Sequence, residues 1–129
     1  MKIYVGHSRD FDYMNELYLP IINSNISEKA EFILPHLSNK TFNSGDVIEE
    51  ADLFIAEISI PSLGLGIEIG RAEMQNKKIL CIHKENAQIP SSIKYVNVEL
   101  LAYRDTEDMI CISTWNSYLI SSIITLLEE

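Results

Sequence analysis

The feature that most constrains the fold of this chain is a regular alternation of short β-forming runs with longer segments of helical periodicity. The five short runs, rich in apolar and β-branched residues, are Ile3–Val5, Phe32–Leu34, Leu53–Ile58, Ile79–Ile82 and Val98–Tyr103. Several of them are apolar at consecutive positions, which is typical of strands that are covered on both faces. The alternation therefore predicts βαβ units and a mainly parallel sheet.

Segments of helical periodicity fill the gaps between these strands. We place helices at about Asp12–Asn23, Gly45–Glu50, Ser62–Asn76 and Ser113–Leu127. Five strands with helices on both faces predict an α/β fold, a flavodoxin-like (Rossmann-like) doubly wound sheet in which residues 1–129 form a single domain. In such sheets, ligands bind outside the carboxyl ends of the strands.

Polar residues cluster where the first three predicted strands end. The three loops carry Gly6-His7-Ser8-Arg9, Pro35-His36 and Ser59-Ile60-Pro61-Ser62. Because the carboxyl ends of parallel strands meet at one edge of a sheet, we expect these loops to form the binding site.

Composition excludes several classes of function. Ten Lys plus Arg against nineteen Asp plus Glu give a formal charge of −9 at pH 7. This acidity argues against a nucleic-acid polymer or an anionic membrane as partner, because both require clustered basic residues. The longest nearly apolar run, Tyr118–Leu127, is too short to span a bilayer. His7, Arg9 and Asp10 come before the apolar core of a signal peptide could form. We expect a cytoplasmic protein.

No metal or organic cofactor is expected. His7, His36 and His83 lie on different segments, and the two cysteines do not match a zinc-finger spacing. The glycines of the third loop fit neither a phosphate-binding P-loop nor the dinucleotide fingerprint.

The predicted third helix contains Gly64, Gly66 and Gly70 within seven residues. Each glycine weakens a helix by roughly 1 kcal/mol relative to alanine, so a close approach of backbone, ligand or neighbouring helix is expected. The same helix has two apolar stripes, one formed by Leu65, Ile69 and Ala72, the other by Leu63, Ile67, Gly70 and Met74. One stripe can cover the sheet, and the other predicts a second subunit and hence a homodimer.

Glu68 falls between the two stripes, beside the glycines. One interpretation is an ion pair with Arg71 at i, i+3, worth a few tenths of a kcal/mol. The other is a catalytic carboxylate above the strand ends. Spacing alone leaves both open.

Residues 51–72, ADLFIAEISIPSLGLGIEIGRA, resemble the signature of the nucleoside 2-deoxyribosyltransferase superfamily, and within it most closely the 2′-deoxynucleoside 5′-phosphate N-hydrolases. The runs KIYVG at 2–6 and KILCI at 78–82 agree more loosely. The resemblance implies hydrolysis of the N-glycosidic bond of a small nucleotide, a 2′-deoxynucleoside 5′-monophosphate. Glu68 would be the nucleophile that forms a glycosyl-enzyme, as in retaining glycosidases.

The resemblance also implies roles for residues in the predicted loops. Ser8, Arg9 and Ser62 would hold the phosphate, although Ser62 could instead be a simple helix N-cap. Tyr4 and His36 would lie beside the substrate, and His36 could equally be an ordinary loop histidine. Three glycines would line the substrate site, namely Gly6, Gly64 and Gly66.

One departure from the family pattern affects the chemistry. Where the hydrolases carry an Asp, this chain has Ser44, which is no general acid near neutral pH. Asp46 or Glu57 could substitute as the acid. Alternatively, Asp46 only charges the first turn of a helix, and Glu57 is a hydrogen-bonded carboxylate at a strand end.

Three alternative functions stay open. The first is a deoxyribosyltransferase, in which a second base rather than water takes the sugar. The second is a nucleotide-binding module without catalysis, which Ser44 makes credible. The third is an NAD glycohydrolase like some Toll/interleukin-receptor domains, whose first strand runs into a turn similar to Gly6-His7-Ser8.

Overall fold

The computed structural model describes residues 2–37 and 43–110. Their five strands form one sheet, and they are β1 (Lys2–His7), β2 (Glu31–Ile33), β3 (Leu53–Glu57), β4 (Lys78–Lys84) and β5 (Glu99–Tyr103). The order in the sheet is β2-β1-β3-β4-β5, and every neighbouring pair is parallel. This is the flavodoxin-like order, so the predicted fold class is confirmed.

Within residues 2–37 and 43–110, four α-helices connect or follow the strands, namely α1 (Leu19–Ile22), α2 (Ser44–Glu50), α3 (Leu63–Met74) and α4 (Thr106–Ile110). The helices predicted near 12–23, 45–50 and 62–76 are confirmed, whereas α4 was not predicted. The helix predicted over 113–127 lies outside the described residues. No helix in 2–37 or 43–110 is long and apolar enough to cross a membrane.

The first helical segment differs from the regular helix expected there. Residues Met14–Tyr18 form a π-helical turn that continues directly into α1, and the N–H of Leu19 bonds to the carbonyl of Met14, five residues back. Pro20 gives a physical reason, because it has no N–H for an α-helical bond to Glu16 and its ring would crowd that carbonyl. A widened turn before Pro20 avoids both problems.

Alternate residues of each strand enter hydrophobic layers on opposite faces of the sheet. Ile3 and Val5 of β1 pack in one layer with Leu17 and Ile21, while Tyr4 packs in the other layer. The second layer also contains the stripe of α3 that was predicted to cover the sheet, Leu65, Ile69 and Ala72. The two faces of β1 therefore present different residues to the carboxyl edge of the sheet.

Candidate active site

Helix α3 begins at the carboxyl edge of the sheet, shortly after β3 ends. Ser62 precedes it in an extended conformation, and its Oγ accepts a hydrogen bond from the N–H of Leu65 at 3.2 Å. The N-cap interpretation of Ser62 is thus confirmed. First-turn N–H groups of an α-helix have no partner within the helix, so this end of α3 is suited to an anion.

Glu68 projects from α3 toward β1, where its half-buried carboxylate meets two hydroxyl groups. The Tyr4 hydroxyl donates to Oε2 at 2.5 Å, and the Ser44 hydroxyl also hydrogen-bonds to the carboxylate. Burial raises the pKa of Glu68, while these two hydrogen bonds and the charge of Arg71 act in the opposite direction. The Glu68 carboxylate is therefore partly removed from water, and its two hydrogen-bond donors are uncharged hydroxyl groups.

Gly6 allows β1 to pass close to this carboxylate. A Cβ added to Gly6 would lie 2.9 Å from the ring of Phe54, 3.2 Å from Leu65 Cδ1 and 3.5 Å from Glu68 Oε1. The first distance is shorter than a carbon contact allows, and the ring belongs to the buried core. Glycine is therefore required here for close packing of strand and helix.

Arg71 forms a hydrogen bond at the start of α2, in addition to its electrostatic interaction with Glu68. Its Nη1 donates to Asn43 Oδ1 at 3.4 Å, and the guanidinium lies against Gly45, where an added Cβ would be 2.5 Å from Nη1. Its charge reaches Glu68 through space and offsets part of the rise that burial causes in the pKa of that carboxyl. Arg71 thus joins the start of α2 to the helix that carries the carboxylate.

The start of α2 brings Ser44, the residue at the family's acidic position, to the carboxylate. Asn43 caps the helix by accepting a hydrogen bond from the N–H of Gly45 at 2.9 Å. Asp46 is exposed in the first turn of α2, where its charge is favourable. A role for Asp46 as general acid stays a prediction.

Glu57 is buried at the end of β3, on the opposite face of the sheet from Tyr4. Its Oε1 accepts a hydrogen bond from the N–H of Ser59 at 2.6 Å, and the Tyr103 hydroxyl donates to Oε2. Burial raises the pKa of Glu57, and these bonds oppose the shift. The arrangement favours the interpretation of a hydrogen-bonded strand-end carboxylate.

The loop after β1 is shaped by Ser8. This serine is buried, and its Oγ accepts a hydrogen bond from the N–H of Asp10 at 3.1 Å. Arg9 is exposed, and its positive charge, together with the larger effect of burial, lowers the pKa of His36. Arg9 and His36 therefore act on each other across the carboxyl edge, while phosphate binding by Ser8 and Arg9 stays a prediction.

Four rings pack together beside this loop, and their contact was not predicted from the sequence, although His36 was expected beside the substrate. We call them the aromatic cluster, and its members are His7, Tyr13, Tyr18 and His36. The ring centroids of His7 and Tyr13 are 4.4 Å apart, and those of His7 and His36 are 5.0 Å apart. Tyr13 and Tyr18 are five residues apart, a spacing that separates them by about 140° on a regular α-helix. The π-helical turn is what brings the two rings together, so α-helical periodicity could not predict their contact.

The outward face of α3 is open. None of the residues that the structure describes lies within 4 Å of a Cβ added to Gly64, Gly66 or Gly70. Leu63 is 83% exposed and Met74 is 82% exposed, with Ile67 at 49%. Hence the close approach predicted for these glycines is not made by any residue that the structure describes. Within the same residues, no group of three His, Cys, Asp or Glu side chains could hold a metal.

The chain is similar in sequence to several known proteins. No family model matches it. The 5-hydroxymethyl-dUMP N-hydrolase of Branchiostoma floridae is 51% identical over 37 residues, which are 29% of this chain and 35% of the relative. The enzyme of the same name from Danio rerio is 35% identical over 74 residues, 56% of this chain and 50% of the relative. A Syntrophotalea carbinolica protein provisionally named 2′-deoxynucleoside 5′-phosphate N-hydrolase 1 is 49% identical over 45 residues, 35% of this chain and 32% of the relative.

The chain thus matches half or less of the length of these relatives. A comparison of structures finds the CMP N-glycosidase of Clostridium botulinum, with a TM-score of 0.70 and 23% identity. The match covers 92% of this chain and 99% of that one. The resemblance predicted from residues 51–72 is therefore confirmed: this chain is similar in sequence to N-hydrolases of deoxynucleoside 5′-phosphates and has the fold of a nucleotide N-glycosidase.

Proposed function

We propose that this protein hydrolyses the N-glycosidic bond of a 2′-deoxynucleoside 5′-monophosphate, with Glu68 as nucleophile. The observation that carries the proposal is the half-buried Glu68 carboxylate at the carboxyl edge, held by Tyr4 and Ser44 and passed closely by Gly6. The names of the relatives support the class of reaction.

In the proposed reaction, a carboxylate oxygen of Glu68 bonds to the anomeric carbon while the bond from that carbon to the base breaks. The sugar passes through an oxocarbenium-like state, which a nearby negative charge stabilises. Water then attacks the anomeric carbon and loses a proton to the carboxylate that protonated the departing base, which releases Glu68 and the sugar phosphate. Deoxyribose suits this route, because its cation forms more easily without a 2′-hydroxyl.

The hydrogen-bond pattern suits Glu68 to this role. Tyr4 holds Oε2, whereas Oε1 lies toward Gly6, which has no side chain. Partial burial strengthens the attraction between the carboxylate and a developing cation, because less water screens it. The departing base still needs a proton, and Asp46 is the candidate on α2.

Phosphate recognition would use a small pocket, because the chain as a whole carries −9. Ser8 and Arg9 would contact the phosphate from the loop after β1. At the start of α3, Gly64 would supply an N–H group beside Ser62, and Gly64 and Gly66 would leave open space, while the N–H of Gly66 already bonds to the Ser62 carbonyl. A monophosphate should bind better than a triphosphate, whose extra charge meets an acidic surface.

We also propose that two copies of the chain pair through the outward face of α3. Leu63, Ile67 and Met74 are exposed there without a partner among the described residues. A second subunit would remove this apolar surface from water. A small nucleotide as substrate fits the cytoplasmic location predicted from the sequence.

A substrate panel tests the proposed reaction. Purified protein is incubated with 5-hydroxymethyl-dUMP, dUMP, CMP, their nucleosides and NAD, and free base is measured by chromatography. Release without an acceptor base indicates a hydrolase, and release only with an acceptor indicates a transferase. Binding without release would favour the non-catalytic module that Ser44 makes credible.

The variant Glu68→Gln tests the nucleophile. It keeps the side-chain volume but removes the charge, so we expect at least a hundredfold loss of turnover, roughly 3 kcal/mol of transition-state stabilisation. Glu73→Gln is a matched control on the same helix, since Glu73 bonds to the N–H of Asn97 outside the site. Near-normal turnover of Glu68→Gln would exclude Glu68 from the mechanism.

A further inference from the structure

A single phenol joins the loops that follow β1 and β2. The Tyr18 hydroxyl lies 2.7 Å from His7 Nε2, and it accepts the backbone N–H of His36 at 2.9 Å. His7 is the last residue of β1, directly before Ser8 and Arg9. Since Tyr18 is fully buried, water does not compete for these hydrogen bonds.

The proton positions along this connection follow from the partners. His7 Nδ1 lies 2.9 Å from the carbonyl oxygen of Ser8, which can only accept, so Nδ1 carries a proton. Burial lowers the pKa of His7 to about 4, so the ring is neutral near pH 7 and Nε2 has a free lone pair. The Tyr18 hydroxyl must therefore donate to Nε2, while its oxygen accepts from His36.

Contacts between aromatic rings also hold His7 and His36 in place. Tyr13 stacks on His7, and the His36 ring lies 5.0 Å from His7 and 5.6 Å from Tyr13 between centroids. The π-helical turn places Tyr13 and Tyr18 on this cluster together. Such turns occur frequently at functional sites, because they displace side chains from the regular helical pattern.

Loss of the hydroxyl would leave two polar groups without their partner at once, His7 Nε2 and the N–H of His36. Among the described residues, the loop after β2 is otherwise held by the ring contacts of His36, which have no directional bond, and by a local turn, in which the N–H of Leu37 bonds to the carbonyl of Leu34. Without Tyr18, that turn could move relative to Arg9 while both strands stayed in place. The hydroxyl therefore determines where one loop lies relative to the other.

We infer that Tyr18 is a positioning residue for substrate binding, whose hydroxyl holds His36 and the Ser8-Arg9 loop at the separation that a bound nucleotide requires. The inference rests on the proposed function. The Tyr18 hydroxyl donates its hydrogen bond to His7, whereas Tyr4 is the phenol that donates a hydrogen bond to Glu68. Its effect is therefore on substrate affinity and not on the bond-breaking step.

The test compares Tyr18→Phe with Tyr103→Phe. Both tyrosines are buried in the same hydrophobic layer, but the Tyr103 hydroxyl bonds to Glu57 of β3, whereas the Tyr18 hydroxyl bonds to His7 and His36. With 5-hydroxymethyl-dUMP as substrate, Tyr18→Phe should raise KM about tenfold or more and change kcat less than threefold. Tyr103→Phe should change KM less than twofold.

Three kinetic results would overturn the inference: an unchanged KM in Tyr18→Phe, a loss confined to kcat, or equal losses in both variants. If the unmodified protein hydrolyses none of the panel, the proposed function fails, and calorimetry with 5-hydroxymethyl-dUMP decides instead. Binding that is about tenfold weaker in Tyr18→Phe supports the inference, whereas equal affinities or no binding to the unmodified protein overturn it.

Nitrogen-15 NMR of the unmodified protein gives a test that needs no variant to fold. The inferred connection requires His7 to carry its proton on Nδ1 and to accept at Nε2 around pH 7. A His7 ring protonated at Nε2 would reverse the hydrogen bond from Tyr18 and overturn the inference.

Discussion

Replacing Gly6 with alanine tests the close approach of β1 and α3. The new Cβ would lie 2.9 Å from Phe54 Cζ and 3.2 Å from Leu65 Cδ1, both in a buried layer, so one of these groups must shift. Overpacking of this kind costs about 1–3 kcal/mol. Alanine offsets about 0.5–1 kcal/mol of this cost, because it restricts the unfolded chain more than glycine does. The net expectation is a loss of roughly 1 kcal/mol, and at most about 2.5 kcal/mol, in the free energy of unfolding.

Gly66→Ala is the matched control for this change. A Cβ at Gly66 meets nothing within 4 Å, and the residue lies inside α3, so alanine should stabilise the fold by about 1 kcal/mol. Urea denaturation measures both variants through their midpoints, provided that the slope is unchanged. In thermal melts, the shift should be roughly 3–6 °C per kcal/mol for a chain of this size.

Activity gives a second readout for Gly6→Ala. The Phe54 ring stacks on Tyr4, with centroids 5.3 Å apart, and Tyr4 holds Glu68. A displaced Phe54 should therefore disturb the carboxylate, so turnover should fall even at temperatures where the variant is fully folded. A Gly6→Ala midpoint equal to or above that of the unmodified protein would refute the packing argument.

Two further predictions concern charge and assembly. Tyr4→Phe removes a hydrogen bond that favours the ionised form of Glu68, so the pKa of Glu68 should rise further. The acidic limb of the pH–activity profile should therefore move to higher pH. If the limb does not move, the role of Tyr4 is contradicted. Ile67→Asp places a charge on the outward face of α3 and should convert the proposed homodimer to monomers in analytical ultracentrifugation; monomers already present without the substitution would rule out the dimer.

Much of the fold could be predicted because its signals are local. Both faces of β3 are covered, so the run Leu53–Ile58 is apolar at every position except Glu57, and the buried stripe of α3 follows a regular helical period. The observed strand order agrees with those signals, and so does the packing of α3 against one face of the sheet.

The aromatic cluster could not be predicted, because no single segment contains its cause. Tyr13 and Tyr18 become neighbours only where Pro20 interrupts the helical hydrogen bonds, and His36 comes from another loop. The hydrogen bond from Ser44 to Glu68 likewise depends on how α2 packs against α3. Periodicity describes one element at a time and does not report such contacts between elements.

Strand β1 connects the described site to the process of folding. Its even-numbered positions carry Tyr4 and Gly6 toward Glu68, while the odd-numbered position His7 faces Tyr18 on the opposite side. A shift of β1 by one residue against β2 and β3 would exchange these faces, placing the phenol in the wrong layer and the imidazole beside the carboxylate. Misregistered molecules could keep a nearly complete sheet and still lack the site. Under the proposed function, the active fraction of a refolded sample would therefore report the register of one strand, which spectroscopic secondary-structure content would not detect.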